Sequence, residues 1–175
     1  RYIREDYSAA ELWTELAKWR VNDEFMSRFV EMMQPRMHTL GDLIPACSFL
    51  LSTDVEYPPE LLVPKKREMT EMPTHLQTVA LAVEVIDQWE PASLKNMIEM
   101  VAEFLDWPVR DVTAPLFVAL TGQNVAPPLY ESMAILGRDM TRRRILNALD
   151  AVGGLGRKKL KKLEEKWKRW YAARV

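Results

Sequence analysis

Apolar residues recur at steps of three and four along nearly the whole chain, and eleven prolines and six glycines cut that pattern into short pieces. This spacing gives each segment one apolar stripe when it is coiled as an α-helix, whereas a half-buried strand needs alternation every two residues. No such alternation occurs, no repeat recurs at 20–50 residues, and ten methionines with few runs of β-branched residues favour helices over a sandwich or barrel. The expectation is an all-α chain.

Start and stop residues divide it. Ser8-Ala-Ala-Glu11 reads as a capping box ahead of Leu12, Leu16 and Trp19. Asn22 can cap a second helix bearing Phe25, Met26, Phe29, Val30 and Met33, which Pro35 ends. Thr39 can cap a third through Leu43, Ala46, Cys47, Leu50 and Leu51, with Pro45 in its first turns. From Asp54 to Pro73 the pattern fails at Pro58, Pro59 and Pro64 and at the Lys65–Arg67 cluster, which marks a subdomain boundary. Helices are then expected from Thr74 to Gln88, Pro91 to Leu105, Val109 to Leu120 with a break or kink at Pro115, Leu129 to Leu136, and Arg138 to Val152. Gly153, Gly154 and Gly156 set off a basic tail. The reading is two helical subdomains, 1–60 and 61–152, with a basic helical tail over 153–175.

At 175 residues the chain can build a real core. The longest nearly apolar run, Leu43 to Leu51, is half of what a bilayer crossing needs, so no membrane is expected as a partner. One cysteine forbids an internal disulfide, and two histidines cannot assemble a structural zinc site, so a metal-free, cytoplasmic protein is the expectation. The chain opens at Arg1 with neither an initiator methionine nor a signal-peptide pattern and is expected to belong to something longer. Its net charge of −1 hides an asymmetry. Residues 157–175 carry nine Lys or Arg and two Glu, a net +7, against −8 for the remainder. That split suits a tail facing a polyanion or a partner protein.

No phosphate loop, dinucleotide fingerprint, zinc-protease motif or nucleophile elbow occurs, and no catalytic residue is assigned. Glu99 and Glu103 form a surface pair, His38 reads as a surface or capping residue more readily than as a proton carrier, and Cys47 as a small buried hydrophobe. Binding chemistry stands out instead. Arg138, Arg142, Arg143 and Arg144 gather near one helix start beside Tyr130, where guanidinium forks could meet phosphates or stack on bases, or simply be solvated.

Several stretches resemble a known family. Pro115-Leu-Phe-Val-Ala-Leu-Thr-Gly122, Pro127-Pro-Leu-Tyr-Glu131, and Ile135-Leu-Gly-Arg138 with Arg144-Ile-Leu-Asn-Ala-Leu149 resemble, in order, segments of the C-terminal region of bacterial-type glutamyl-tRNA synthetases. Gln34-Pro-Arg-Met-His-Thr-Leu40 resembles the family's R-x-x-T-L motif, Trp89 its tryptophan ahead of a helix, and Tyr2-Ile-Arg4 its N-x-x-Y-I-R stretch.

The resemblance implies a helical anticodon-binding region whose partner is tRNA(Glu), acting as a monomer with no DNA partner. The signatures of ATP binding are absent from these residues, so ATP and magnesium belong to the full-length ligase and no cofactor is implied here. It places Arg36 at the last anticodon base and lines the pocket with Pro127, Leu129 and Tyr130. Thr121, Arg138, Arg142 and Arg143 complete the expected tRNA-binding set. Phe117 departs from the family, where many members carry arginine, and is read as core or as a base-stacking ring. A helical protein-interaction module with a basic tail for an acidic partner is the competing reading. In the tail, Leu160, Leu163, Trp167 and Trp170 form one stripe, which either packs on the acidic body with solubilising lysines or docks and turns lysines to a tRNA backbone.

Overall fold

The computed structural model describes residues 7–19, 22–123 and 128–174, and among them there are helices and turns but no strand. We number the α-helices α1 (Ala9–Trp19), α2 (Asp23–Met33), α3 (Leu43–Leu51), α4 (Met72–Val85), α5 (Pro91–Leu105), α6 (Val109–Thr121), α7 (Leu129–Leu136), α8 (Arg138–Ala151) and α9 (Arg157–Ala172). None is long and apolar enough to cross a membrane.

The local signals act as their chemistry requires. The Ser8 amide donates to Glu11 Oε2 at 2.8 Å while the Glu11 amide donates to Ser8 Oγ at 3.3 Å, so two orphan donors at the start of α1 are satisfied. Asn22 Oδ1 accepts from the Phe25 amide at 2.8 Å and caps α2. Pro35 turns the end of α2 into a 3₁₀ turn over Gln34–Arg36. Helix α4 begins at Met72, two residues before the expected start, because Pro73 fits the first turn, and it stops at Val85 rather than Gln88. The Cys47 side chain lies outside the described residues. Leu51, expected on the core face of α3, is exposed.

Helix α4 organises the core. Met72, Leu76, Val79, Ala80, Ala82 and Val83 are buried around much of its circumference, which suits a helix enclosed by neighbours rather than one with a solvent face. It packs against α5, α8 and α9, while α6 and α7 pack on α5 and α8. α2 and α3 join through α7 and α6, and Phe29, Phe49 and Leu50 extend the same apolar cluster. Gly153 and Gly154 take left-handed backbone after α8, and the Gly154 amide reaches back to the Leu149 carbonyl at 2.8 Å. The chain then reverses, and α9 docks by an aromatic stripe. Trp167 and Trp170 meet the edge of buried Phe104 at ring distances of 5.0 and 5.3 Å, and Tyr171 stacks on Trp167. Such pairs add about 0.5–1.5 kcal/mol each beyond burial.

The break expected at Pro115 is absent: α6 runs through it. Proline removes one amide and crowds the carbonyls of the preceding turn. Here the Val112 carbonyl, three residues before Pro115, accepts from His75 Nε2 at 3.0 Å. The His75 ring is fully buried and stacks on Trp107 at 5.4 Å. Trp107 carries the Arg67 guanidinium on its ring at 4.0 Å, and Arg67 Nε donates to Asp111 Oδ2 at 3.0 Å. A side chain from α4 thus supports the helix at its weak turn.

Arg144 is buried as well, 1 % exposed. It donates to the main-chain carbonyls of Leu120 in the last turn of α6, Phe49 in the last turn of α3, and Ser52 just beyond it. Carbonyls at helix C-termini lack partners within their own helix and carry the negative end of the helix dipole. One guanidinium therefore ties two helix ends to α8.

Replacing Arg144 with methionine is expected to destabilise the fold by about 3–5 kcal/mol, because it strands buried carbonyls. Arg144→Lys should recover less than half of that, since an ammonium lacks the planar fork. Urea unfolding of the three proteins measures both. Burial, aided by the Arg67 charge and opposed by the Val112 carbonyl, pushes the His75 pKa down to about 4. Acid therefore favours the unfolded chain, whose histidine titrates near 6.5. Stability should fall by about 3 kcal/mol between pH 6.5 and 4 and level off below, and His75→Gln should flatten that window in urea titrations at successive pH values.

Candidate nucleic-acid interface

Arg36 follows α2 in the 3₁₀ turn that Pro35 enforces. Its side chain is exposed, and Nη1 donates back to the Met32 carbonyl at 3.2 Å, which orients the guanidinium along the end of α2. Asp42, six residues further on, is engaged elsewhere. Its carboxylate accepts from the amides of His38 and Thr39 at 2.8 and 2.9 Å and from the Thr39 hydroxyl at 3.1 Å. Those bonds, led by the Thr39 amide, hold its pKa below the usual carboxylate range. No carboxylate pairs with Arg36 among the described residues. The capping box also presents Leu40 and Ile44, 88 % and 69 % exposed, one turn apart. Sequence periodicity did not single out this pair. An apolar i, i+4 pair on the side of α3 away from Leu43 and Leu50 was the available signal.

Helix α2 meets α7 at the point where Ser132 Oγ lies 3.9 Å from Met32 Sδ. Arg36 and the first turn of α7 are each within about one helical turn of that contact. In that first turn Leu129 is 4 % exposed and belongs to the core, whereas Tyr130 is half-buried. Burial first, then the charges of Glu99 and Glu131, raises the Tyr130 pKa. Pro127 lies outside the described residues. Thr121 is buried, and its hydroxyl donates to the Phe117 carbonyl at 2.7 Å and accepts from the Gln123 amide at 3.2 Å. It shapes the turn. Gly122 follows with φ +74°, and a Cβ there would lie 3.2 Å from the Glu56 carbonyl oxygen, so the turn requires glycine. Phe117 is half-buried and packs against the core.

The arginines of α8 have different positions. Arg138 donates to the Ile86 and Asp87 carbonyls and lies over the Trp89 ring at 5.4 Å. Trp89 in turn donates to the Met133 carbonyl at 3.0 Å, which ties the α4–α5 connection to α7 and α8. Arg142 grips Glu84 with two bonds of 2.7 and 3.1 Å, and Arg143 reaches Asp54 at 3.3 Å. Arg144 is interior. The cluster that the sequence displays as one patch is thus divided: Arg138 and Arg142, one turn apart, both meet the end of α4, whereas Arg143 and Arg144 point about 100° and 200° away from Arg142. Arg142 and Arg143 remain exposed enough to exchange their carboxylates for phosphates.

Comparison with known proteins bears on this surface. The model of the family described as an anticodon binding domain matches residues 9–149. The chain is 34% identical over 151 residues to the glutamate–tRNA ligase of Stutzerimonas stutzeri, covering 86% of this chain and 31% of that protein. It is 32% identical over 164 residues to the glutamate–tRNA ligase of Cellvibrio japonicus, covering 94% and 32%. For that of Protochlamydia amoebophila the figures are 27% over 168 residues, 95% and 34%. The chain spans about a third of the length of these curated relatives. With the match running from α1 to α8 and so taking in both Arg36 and the α7 turn, the chain belongs to the anticodon binding domain family.

Proposed function

We propose that this chain is the anticodon-binding part of a glutamate–tRNA ligase and that it selects tRNA(Glu) for ligation carried out elsewhere in the enzyme. The observation that carries the reading is the exposed Arg36 guanidinium at the α2–α7 seam, in a chain whose family is defined by anticodon binding. Unstacked anticodon bases are read by hydrogen bonds to their edges and by support on aromatic or guanidinium planes. Arg36 supplies a fork of donors, Tyr130 a partly exposed ring and a hydroxyl, and Leu40 with Ile44 exposed apolar surface. Thr121 and Leu129 act from beneath, fixing the turn and the helix start that frame the seam. Arg142 and Arg143 would take part through phosphates, and Arg138 by holding the α4–α5 connection.

Among the described residues no group of three or more His, Cys, Asp or Glu is placed to hold a metal ion. The competing reading, a protein-docking module, has no comparable support from the family.

Arg36 should contribute about 1–3 kcal/mol to discrimination at one anticodon base, the value of a good bidentate contact. In the full-length ligase, Arg36→Gln is expected to lower the preference for glutamate tRNA over glutamine tRNA by about 5- to 150-fold in kcat/KM. An unchanged ratio removes Arg36 from the specificity site.

A further inference from the structure

Helix α9 lies beyond the residues that the family matches, and its cations are disposed unlike those of α8. Lys158, Lys161, Lys162 and Arg169 are exposed, and no ion pair engages any of them among the described residues. Arg169 Nε donates to the main-chain carbonyl of Glu165 at 3.2 Å, and Glu165 is the one acid on this face, which keeps a net positive charge. At about 100° per residue, these four side chains fall opposite buried Leu163 and Trp167 and extend along about 16 Å of helix axis. The stripe that docks α9 therefore fixes them outward. Lys168 borders the arc, and Lys166 bends over the Phe104 ring at 4.8 Å.

A tail serving to neutralise the acidic body would turn its cations toward that body. The described ion pair between tail and body is that of Arg174 with Glu103, at the helix end, where Arg174 also covers the Trp170 ring at 3.7 Å. The four outward residues point away from it.

We propose that the Lys158, Lys161, Lys162 and Arg169 face of α9 is a second RNA contact, holding phosphates of the backbone of the tRNA whose anticodon meets Arg36. The inference rests on the reading that the chain binds tRNA. Lysines on flexible stems are point charges suited to phosphates rather than to base edges, so the contact adds affinity without sequence information. Its rigid mount on the Phe104–Trp167–Trp170 cluster holds the charges as a row instead of a mobile tail.

The test compares the 175-residue chain with a K158Q/K161Q/K162Q/R169Q variant, titrated by fluorescence anisotropy against a glutamate tRNA transcript and an anticodon-substituted transcript across a salt series. The variant should bind both RNAs about tenfold or more weakly near 0.1 M salt, and the slope of log K against log salt should fall by about three, at 0.7–0.9 per lost phosphate contact. Its thermal unfolding should match the parent, since none of the four packs in the core. A well-folded variant with the parental slope overturns the proposal, as does an absence of binding by the parent up to about 100 μM, the weak end of non-specific affinity. Equal binding of a polyglutamate peptide and tRNA by the parent, both lost in the variant, overturns it in favour of an acidic protein surface. If the parent does not distinguish the two transcripts yet the variant loses the slope, the backbone contact stands and the anticodon reading falls.

Discussion

Arg144 brings a guanidinium into the interior, and the arrangement of α3, α6 and α8 depends on its being satisfied there. Its fork closes the carbonyl ends of two helices that belong to distant parts of the chain. An isolated buried charge is costly, and so is a buried carbonyl without a donor. Each resolves the other here, with the negative ends of two helix dipoles offsetting the cation. The Thr121–Gly122 turn begins one residue after Leu120, so the arginine also fixes where that turn leaves the core.

His75 performs a neutral version of the same task. It supplies a donor to Val112 in the turn that Pro115 disturbs, and its ring is stacked under Trp107 and Arg67. α6 continues through Pro115 to the turn at its C-terminus. Arg144 and His75 thus both donate to main-chain carbonyls, at two helix ends in one case and in the turn before Pro115 in the other.

The charges divide by helix. Cations of α8 are held by carbonyls or by Glu84 and Asp54, whereas the outward cations of α9 have solvent around them. An arginine already paired must give up its partner before it can meet a phosphate, which reduces the net gain. An unpaired lysine gives up only water and counterions. Placement relative to acids, rather than the number of basic residues in a stretch, decides which cluster can attract a polyanion.

The Ser8–Glu11 box, the Asn22 cap and the Pro35 stop were all legible because each joins groups within four residues of one another. The all-α class follows from the same local periodicity, and so does the α9 stripe that Leu163 and Trp167 bury. The family motifs pointed to Arg36 and Tyr130, yet nothing in them distinguished Thr121 and Leu129, which are buried, from residues that face solvent. The fates of the arginines were hidden for a physical reason. Arg144 meets partners 24, 95 and 92 residues away, Arg142 one 58 away and Arg143 one 89 away. The sequence by itself determined the helices, their caps and the charge of the tail, since those depend on neighbours along the chain. Only the tertiary structure decided which cations are buried, paired or exposed, because desolvation and pairing depend on groups that folding alone brings together.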